Sequence, residues 1–144
     1  MNSIKKIFLG LQGKWHLSRQ ITGSHMAHAT GTAIFEETAH PDELQYSEEV
    51  EITLNEGTKF NGYQHYIYRF EGENKLNVYF IDGLRLFHSI EGTDADNTPE
   101  HKASHYCQPD TYATSYFFGE NTFQIKHKVD GPQKDYLSHT TYHR

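Results

Sequence analysis

Residues 44–54 read LQYSEEVEITL, and their alternation decides the fold. Leu44, Tyr46, Glu48, Val50, Ile52 and Leu54 make one set; Gln45, Ser47, Glu49, Glu51 and Thr53 make the other. A period of two is that of a strand turning one face to a core and the other to water. The split is clean except at Glu48, a carboxylate in the apolar set. A charge is tolerated inside only when it is paired. The pattern therefore predicts that Glu48 faces the interior beside Tyr46, within reach of Arg19, His88 or a tyrosine hydroxyl. Glu49 is expected to be exposed and replaceable at little cost.

The same alternation continues in both directions. Strands are expected over 14–23, 28–37, 43–54, 58–70, 75–82, 84–91, 101–108, 112–119, 121–129 and 133–143. Turn residues punctuate them: Asn55-Glu56-Gly57, the run Glu71–Asn74, a two-residue Asp82-Gly83 turn, Gly119-Glu120-Asn121 and Asp130-Gly131-Pro132. Residues 92–100 (GTDADNTPE) are the one longer link, acidic and polar, with the composition of a mobile loop or lid. Helical spacing appears only at the start, where Ser3 could cap a turn carrying Ile4, Ile7, Phe8 and Leu11 on one side. Successive hairpins without long crossovers form a meander, and a meander of this length manages its edges best by closing. The expected fold is all-β: a single up-and-down antiparallel barrel of about 8–10 strands with a short N-terminal helix, spanning 1–144 as one domain. An open sandwich is the alternative.

Composition narrows the class. With 13 basic and 19 acidic side chains the formal net charge is −6, which argues against nucleic acid as partner. Cys107 is the one cysteine, so no internal disulfide forms, and a reducing, cytoplasmic setting is expected. The apolar run in MNSIKKIFLGL is too short and broken for a signal peptide or membrane span. Monomer or homodimer is expected. GSHM at 23–26 has the form of a tag remnant, but it is internal and flanked by sequence of the same character, so it reads as native.

In a barrel the inner faces decide function. Arg19 shares a face with Trp15, Leu17 and Ile21; His88 with Leu84, Leu86 and Ile90; His105 with Ala103 and Cys107; His127 with Phe123, Ile125 and Val129. Phe87 falls on the opposite, outward side from His88. The candidate ligand-binding set is Arg19, Tyr46, Glu48, Tyr66, Tyr68, His88, His105, Cys107, Tyr112 and Tyr136, with Tyr116 and Tyr142 also expected inside. So many hydroxyl and imidazole groups are hard to satisfy without water or ligand; a purely structural polar network is the competing reading. His105 and Cys107 at i, i+2, with His88 on a neighbouring strand, could face one ion. No dense ligand pattern supports it, so no metal is assigned and the cofactor is left unknown; a haem held by one histidine is equally unsupported. Cys107 as a nucleophile would need an electropositive setting, and a buried structural cysteine is the more ordinary fate.

The ends of the chain resemble the lipocalin and calycin pattern: Gly13-Lys14-Trp15 opens the first strand after a short helix, and a strand ending in Tyr142-His143-Arg144 closes the chain. The resemblance implies that Trp15 packs at the closed end with Arg144 over its ring, and Arg19 is the rival for that place. Almost the whole chain is similar to an uncharacterised bacterial family of lipocalin-like domains. The shared residues are Gly13, Trp15, Leu17 and Arg19; Tyr46 and Glu48; Asp82, Gly83, Phe87 and His88; His105, Cys107, Asp110 and Tyr112; and Gly131, Pro132, Lys134, Asp135 and Tyr136. Phe123 stands where that pattern has a tryptophan. This likeness implies fold and site position, not chemistry.

Two functions follow as expectations. One is a barrel binding a small, partly apolar ligand that carries a polar or anionic group. The other is an enzyme acting on a small acid, since some calycin-like barrels isomerise or decarboxylate such acids; Glu48 would be the general acid or base, with His88 or His105 sharing that duty. An interaction domain using an edge or the 92–100 loop is a third class that nothing specific favours.

Overall fold

The computed structural model describes residues 3–24, 26–91, 100–105, 111–131 and 135–144, without the side chains of 3, 104–105 and 111–112. A helix, α1 (Ser3–Leu11), is followed by β1 (Gly13–Gly23), β2 (Ala27–Glu37), β3 (Glu43–Leu54), β4 (Lys59–Glu71) and β5 (Lys75–Phe80). Then come β6 (Leu86–Glu91), β7 (Glu100–His105), β8 (Thr111–Phe118), β9 (Thr122–Asp130) and β10 (Asp135–His143). Each strand pairs antiparallel with its neighbour in sequence, and β1 pairs with β10 from His16 opposite His143 to Gly23 opposite Tyr136. That last ladder closes the sheet. The expected up-and-down barrel is thus borne out, and an open sandwich is excluded. Among the described residues no helix is long and apolar enough to cross a membrane.

The alternation in 44–54 has the face assignment expected of it. Leu44, Tyr46, Glu48 and Val50 are buried, while Glu49 and Glu51 are exposed. Along β2 three successive inward positions are small, namely Ala29, Gly31 and Ala33, before the large buried Phe35. Gly31 lies opposite Val50, and a Cβ added there would stand 2.0 Å from the Glu49 carbonyl oxygen and 2.7 Å from the Val50 Cα. The two strands press together at a point that admits only hydrogen.

One end of the barrel is plugged. Ile4, Phe8 and Leu11 on α1 are buried, and Phe8 lies 6.2 Å from Phe70 between ring centroids. The indole Nε1 of Trp15 donates to the Leu11 carbonyl at 2.8 Å. The guanidinium of Arg144 sits 4.0 Å above the Trp15 ring and donates to the carbonyls of Gln12, at 2.8 Å, and Gly10. Arg19 lies further up the barrel, so the place over Trp15 belongs to Arg144. Above the plug, Phe123 meets Trp15 edge-on at 4.8 Å and stacks on Tyr142 at 4.1 Å, and Phe35 lies within 5.1 Å of Tyr46 and Tyr68.

The β5–β6 connection differs from expectation. Asp82-Gly83 does not close a two-residue turn: residues 81–84 form a four-residue loop between Phe80, whose N–H donates to the Arg85 carbonyl, and Arg85. Asp82 shapes it by accepting from the N–H groups of Leu84 and Arg85 and from Arg85 Nε, which holds its carboxyl down at about 2. The loop lies against β4, where Arg69 donates to the Gly83 carbonyl at 2.8 Å. Leu84 is therefore solvent-facing at 84% exposure and does not share the buried face of His88 and Ile90. The register then shifts by one residue. Val78 opposes His88 but Tyr79 opposes Leu86, with Phe87 between them as a bulge. The expected lid at 92–100 falls outside the described residues, except Glu100.

Candidate functional site

Above the packed base the barrel encloses a cavity of about 510 Å³. Of the residues expected at a binding site, Arg19, Tyr46, Tyr66, Tyr68, His88 and Tyr136 line it, as do Tyr116 and Tyr142. Glu48 does not; it lies behind Arg19 and Tyr46, its side chain 1% exposed. Cys107 and the side chains of His105 and Tyr112 lie outside the described residues; the backbone of His105 pairs opposite His88, and that of Tyr112 opposite Val129.

The floor of the cavity is a polar network built from three strands. Arg19 on β1 donates from Nη1 and Nη2 to the two carboxylate oxygens of Glu48 on β3, both at 2.8 Å, and from Nε to Thr140 on β10, also at 2.8 Å. The bidentate fork is the geometry in which a guanidinium and a carboxylate best offset their lost hydration. Tyr46 donates to Glu48 Oε1 at 2.5 Å. Its single proton is spent there, so across the 2.7 Å contact between the hydroxyls of Tyr46 and Tyr142 it is Tyr142 that donates. Burial opposes the charge on Arg19, yet the hydrogen bond and the negative charge of Glu48 outweigh it and hold the guanidinium above its ordinary pKa. Burial likewise raises the hydroxyls of Tyr46, Tyr68 and Tyr116, and pushes Tyr142 up to about 12.

The walls are mixed. Tyr66 and Phe87 stack with centroids 5.4 Å apart and planes 11° from parallel, and Phe80 lies 5.0 Å from Phe87. Ile21, Ala29, Ile52, Val78 and Ile125 add aliphatic surface. The Tyr116 hydroxyl lies 3.3 Å from both ring nitrogens of His88, and Thr114 Oγ1 lies 2.5 Å from His127 Nδ1. A second ion pair, Arg69 Nε to Glu43 at 2.7 Å, is not part of the cavity lining.

Several lining residues escaped the sequence reading. His127 carried the same signal as His88, an imidazole on an apolar face, and Ser138 and Thr140 share the face of Tyr136 and Tyr142. Phe87 gave no such signal, because strict alternation places it outside and only the bulge brings it to the cavity.

The chain is similar in structure to the S-type phycobiliprotein lyase CPES from Guillardia theta, with a TM-score of 0.70 and 10% identity over 99% of this chain and 92% of that one. A redesigned β barrel, mFAP0, bound to DFHBI has a TM-score of 0.48 and 11% identity over 94% of this chain and 99% of that one. At such identities the first likeness speaks to the fold alone. No curated protein matches the sequence. A family of unknown function, DUF6314, matches residues 11–144, and the chain belongs to it.

Proposed function

We propose that this protein is a binding barrel for a small, partly apolar molecule carrying a polar or anionic group. The observation that carries the reading is the cavity itself. At about 510 Å³ it suits a single small ligand, and its lining joins aliphatic and aromatic walls to a floor of tyrosines and Arg19. Acid–base catalysis through Glu48 has less support. That carboxylate does not line the cavity, and both its oxygens accept hydrogen bonds from Arg19 and Tyr46. The formal net charge of −6, from 13 basic and 19 acidic side chains, fits a protein without a nucleic-acid partner.

Native mass spectrometry tests the proposal. Protein purified from its own source should carry a small added mass. Ser138→Trp, which fills the cavity from β10, should lose that mass while its circular dichroism stays unchanged. A bare chain mass for the wild type, together with no thermal stabilisation by any member of a library of hydrophobic small molecules, would overturn it.

A further inference from the structure

We infer that the cavity selects neutral, hydrogen-bonding aromatic molecules and discriminates against carboxylates and other anions. The inference rests on the binding reading and narrows it. It starts from the arrangement of Arg19. A guanidinium among tyrosines looks like an anion receptor, but three of the five N–H donors of this one are already engaged within the protein. Two of its nitrogens engage both oxygens of Glu48 at 2.8 Å, and the third engages Thr140 at 2.8 Å. The pair sums to zero charge. Glu48, buried directly behind Arg19, would repel an incoming carboxylate and offset part of the guanidinium's attraction.

Other groups do not supply the missing charge. Among the described residues, the remaining lining side chains able to carry a positive charge are His88 and His127, and each faces a hydroxyl, from Tyr116 and Thr114 respectively. An anion entering the barrel therefore sheds its water and meets no uncompensated cation, which is the costly case for a buried charge. A neutral carbonyl or hydroxyl sheds far less and finds donors and acceptors on Gln64 and Ser138. The parallel rings of Tyr66 and Phe87 on the wall favour a flat aromatic body.

Competition between two molecules of nearly equal shape tests this. N-phenylnaphthylamine serves as fluorescent reporter, displaced by acetylnaphthalene or by naphthoate of the same substitution, at about pH 8 where ordinary imidazoles are neutral. The neutral ketone should compete roughly tenfold or more better than the carboxylate. In Glu48→Gln the charge of Arg19 loses its partner, so naphthoate should gain about tenfold or more while the ketone changes little. Naphthoate competing as well as the ketone in the wild type overturns the inference, and so does a folded Glu48→Gln protein with no gain for naphthoate. If Glu48→Gln does not fold, the wild-type comparison decides alone. A reporter that fails to bind the wild type, or binds Ser138→Trp equally well, removes the binding reading itself.

Discussion

Glu48 and Glu49 are adjacent and chemically identical, and the pleat alone separates them. Glu49 points to water and has nothing to lose. Glu48 is held by Arg19 through two hydrogen bonds and by Tyr46 through a third. Removing one member of a buried pair leaves the other charged and unpaired, which typically costs about 3–5 kcal/mol, whereas an exposed glutamate usually stays within about 0.5 kcal/mol. Glu48→Ala should therefore lower the free energy of unfolding by about 3–5 kcal/mol and Glu49→Ala by about 0.5 kcal/mol or less, read from urea denaturation. A loss below about 1 kcal/mol for Glu48→Ala would mean that water entering the cavity solvates Arg19 as well as the carboxylate does. At this scale much was legible. The break in alternation located Glu48, and the apolar companions of Arg19 located its partner. The bidentate geometry was not legible, because it depends on the relative height of β1 and β3, two strands joined only through β2.

At the scale of elements, strand identity followed from alternation, and most boundaries from glycine-bearing turns. The β5–β6 hairpin did not. Asp82-Gly83 reads as a two-residue turn, yet the Asp82 carboxylate stabilises a wider loop by accepting from the backbone of Leu84 and Arg85, and Arg69 anchors it from β4. The bulge that brings Phe87 into the cavity lies in the same hairpin, and neither sequence period nor composition marks it. Gly31 is a quieter case, a glycine within a strand that marks close backbone approach. Gly31→Ala must move β2 away from β3, because its Cβ would lie 2.0 Å from the Glu49 carbonyl oxygen. Overpacking of this kind costs about 1–3 kcal/mol. Gly57→Ala is the comparison. Its φ is 101° but a Cβ there meets nothing within 4 Å, so only backbone strain opposes it, about 1 kcal/mol. Thermal unfolding should place Gly31→Ala below Gly57→Ala. The reverse order would mean that β2 and β3 can separate at that point without loss of ladder pairing.

At the scale of the whole molecule, closure was inferred from the need to hide edges, since no local feature of β1 names β10 as its partner. What closure creates is a shared interior where tyrosines from four strands meet, and that interior sets how the fold responds to alkali. Tyr46, Tyr68, Tyr116 and Tyr142 are each 5% exposed or less, and burial raises all four hydroxyls above the ordinary value of 10, Tyr142 to about 12. Below pH 10 these groups are protonated in both folded and unfolded chains and give stability no slope. Above it the unfolded chain releases protons that the folded barrel retains, so stability falls as pH rises. Each such group contributes about 1.4 kcal/mol per pH unit, and four together about 5 kcal/mol per unit once pH exceeds the unfolded value. A domain stable by about 5–15 kcal/mol is then expected to unfold cooperatively within one to a few units above pH 10. Tyrosinate absorbance should rise in two stages. Solvent-exposed tyrosines ionise first, and the buried four follow only with the loss of near-ultraviolet circular dichroism. A single smooth titration of all ten tyrosines centred near pH 10, with the dichroism intact, would show that the hydroxyls of the floor reach water in the folded protein.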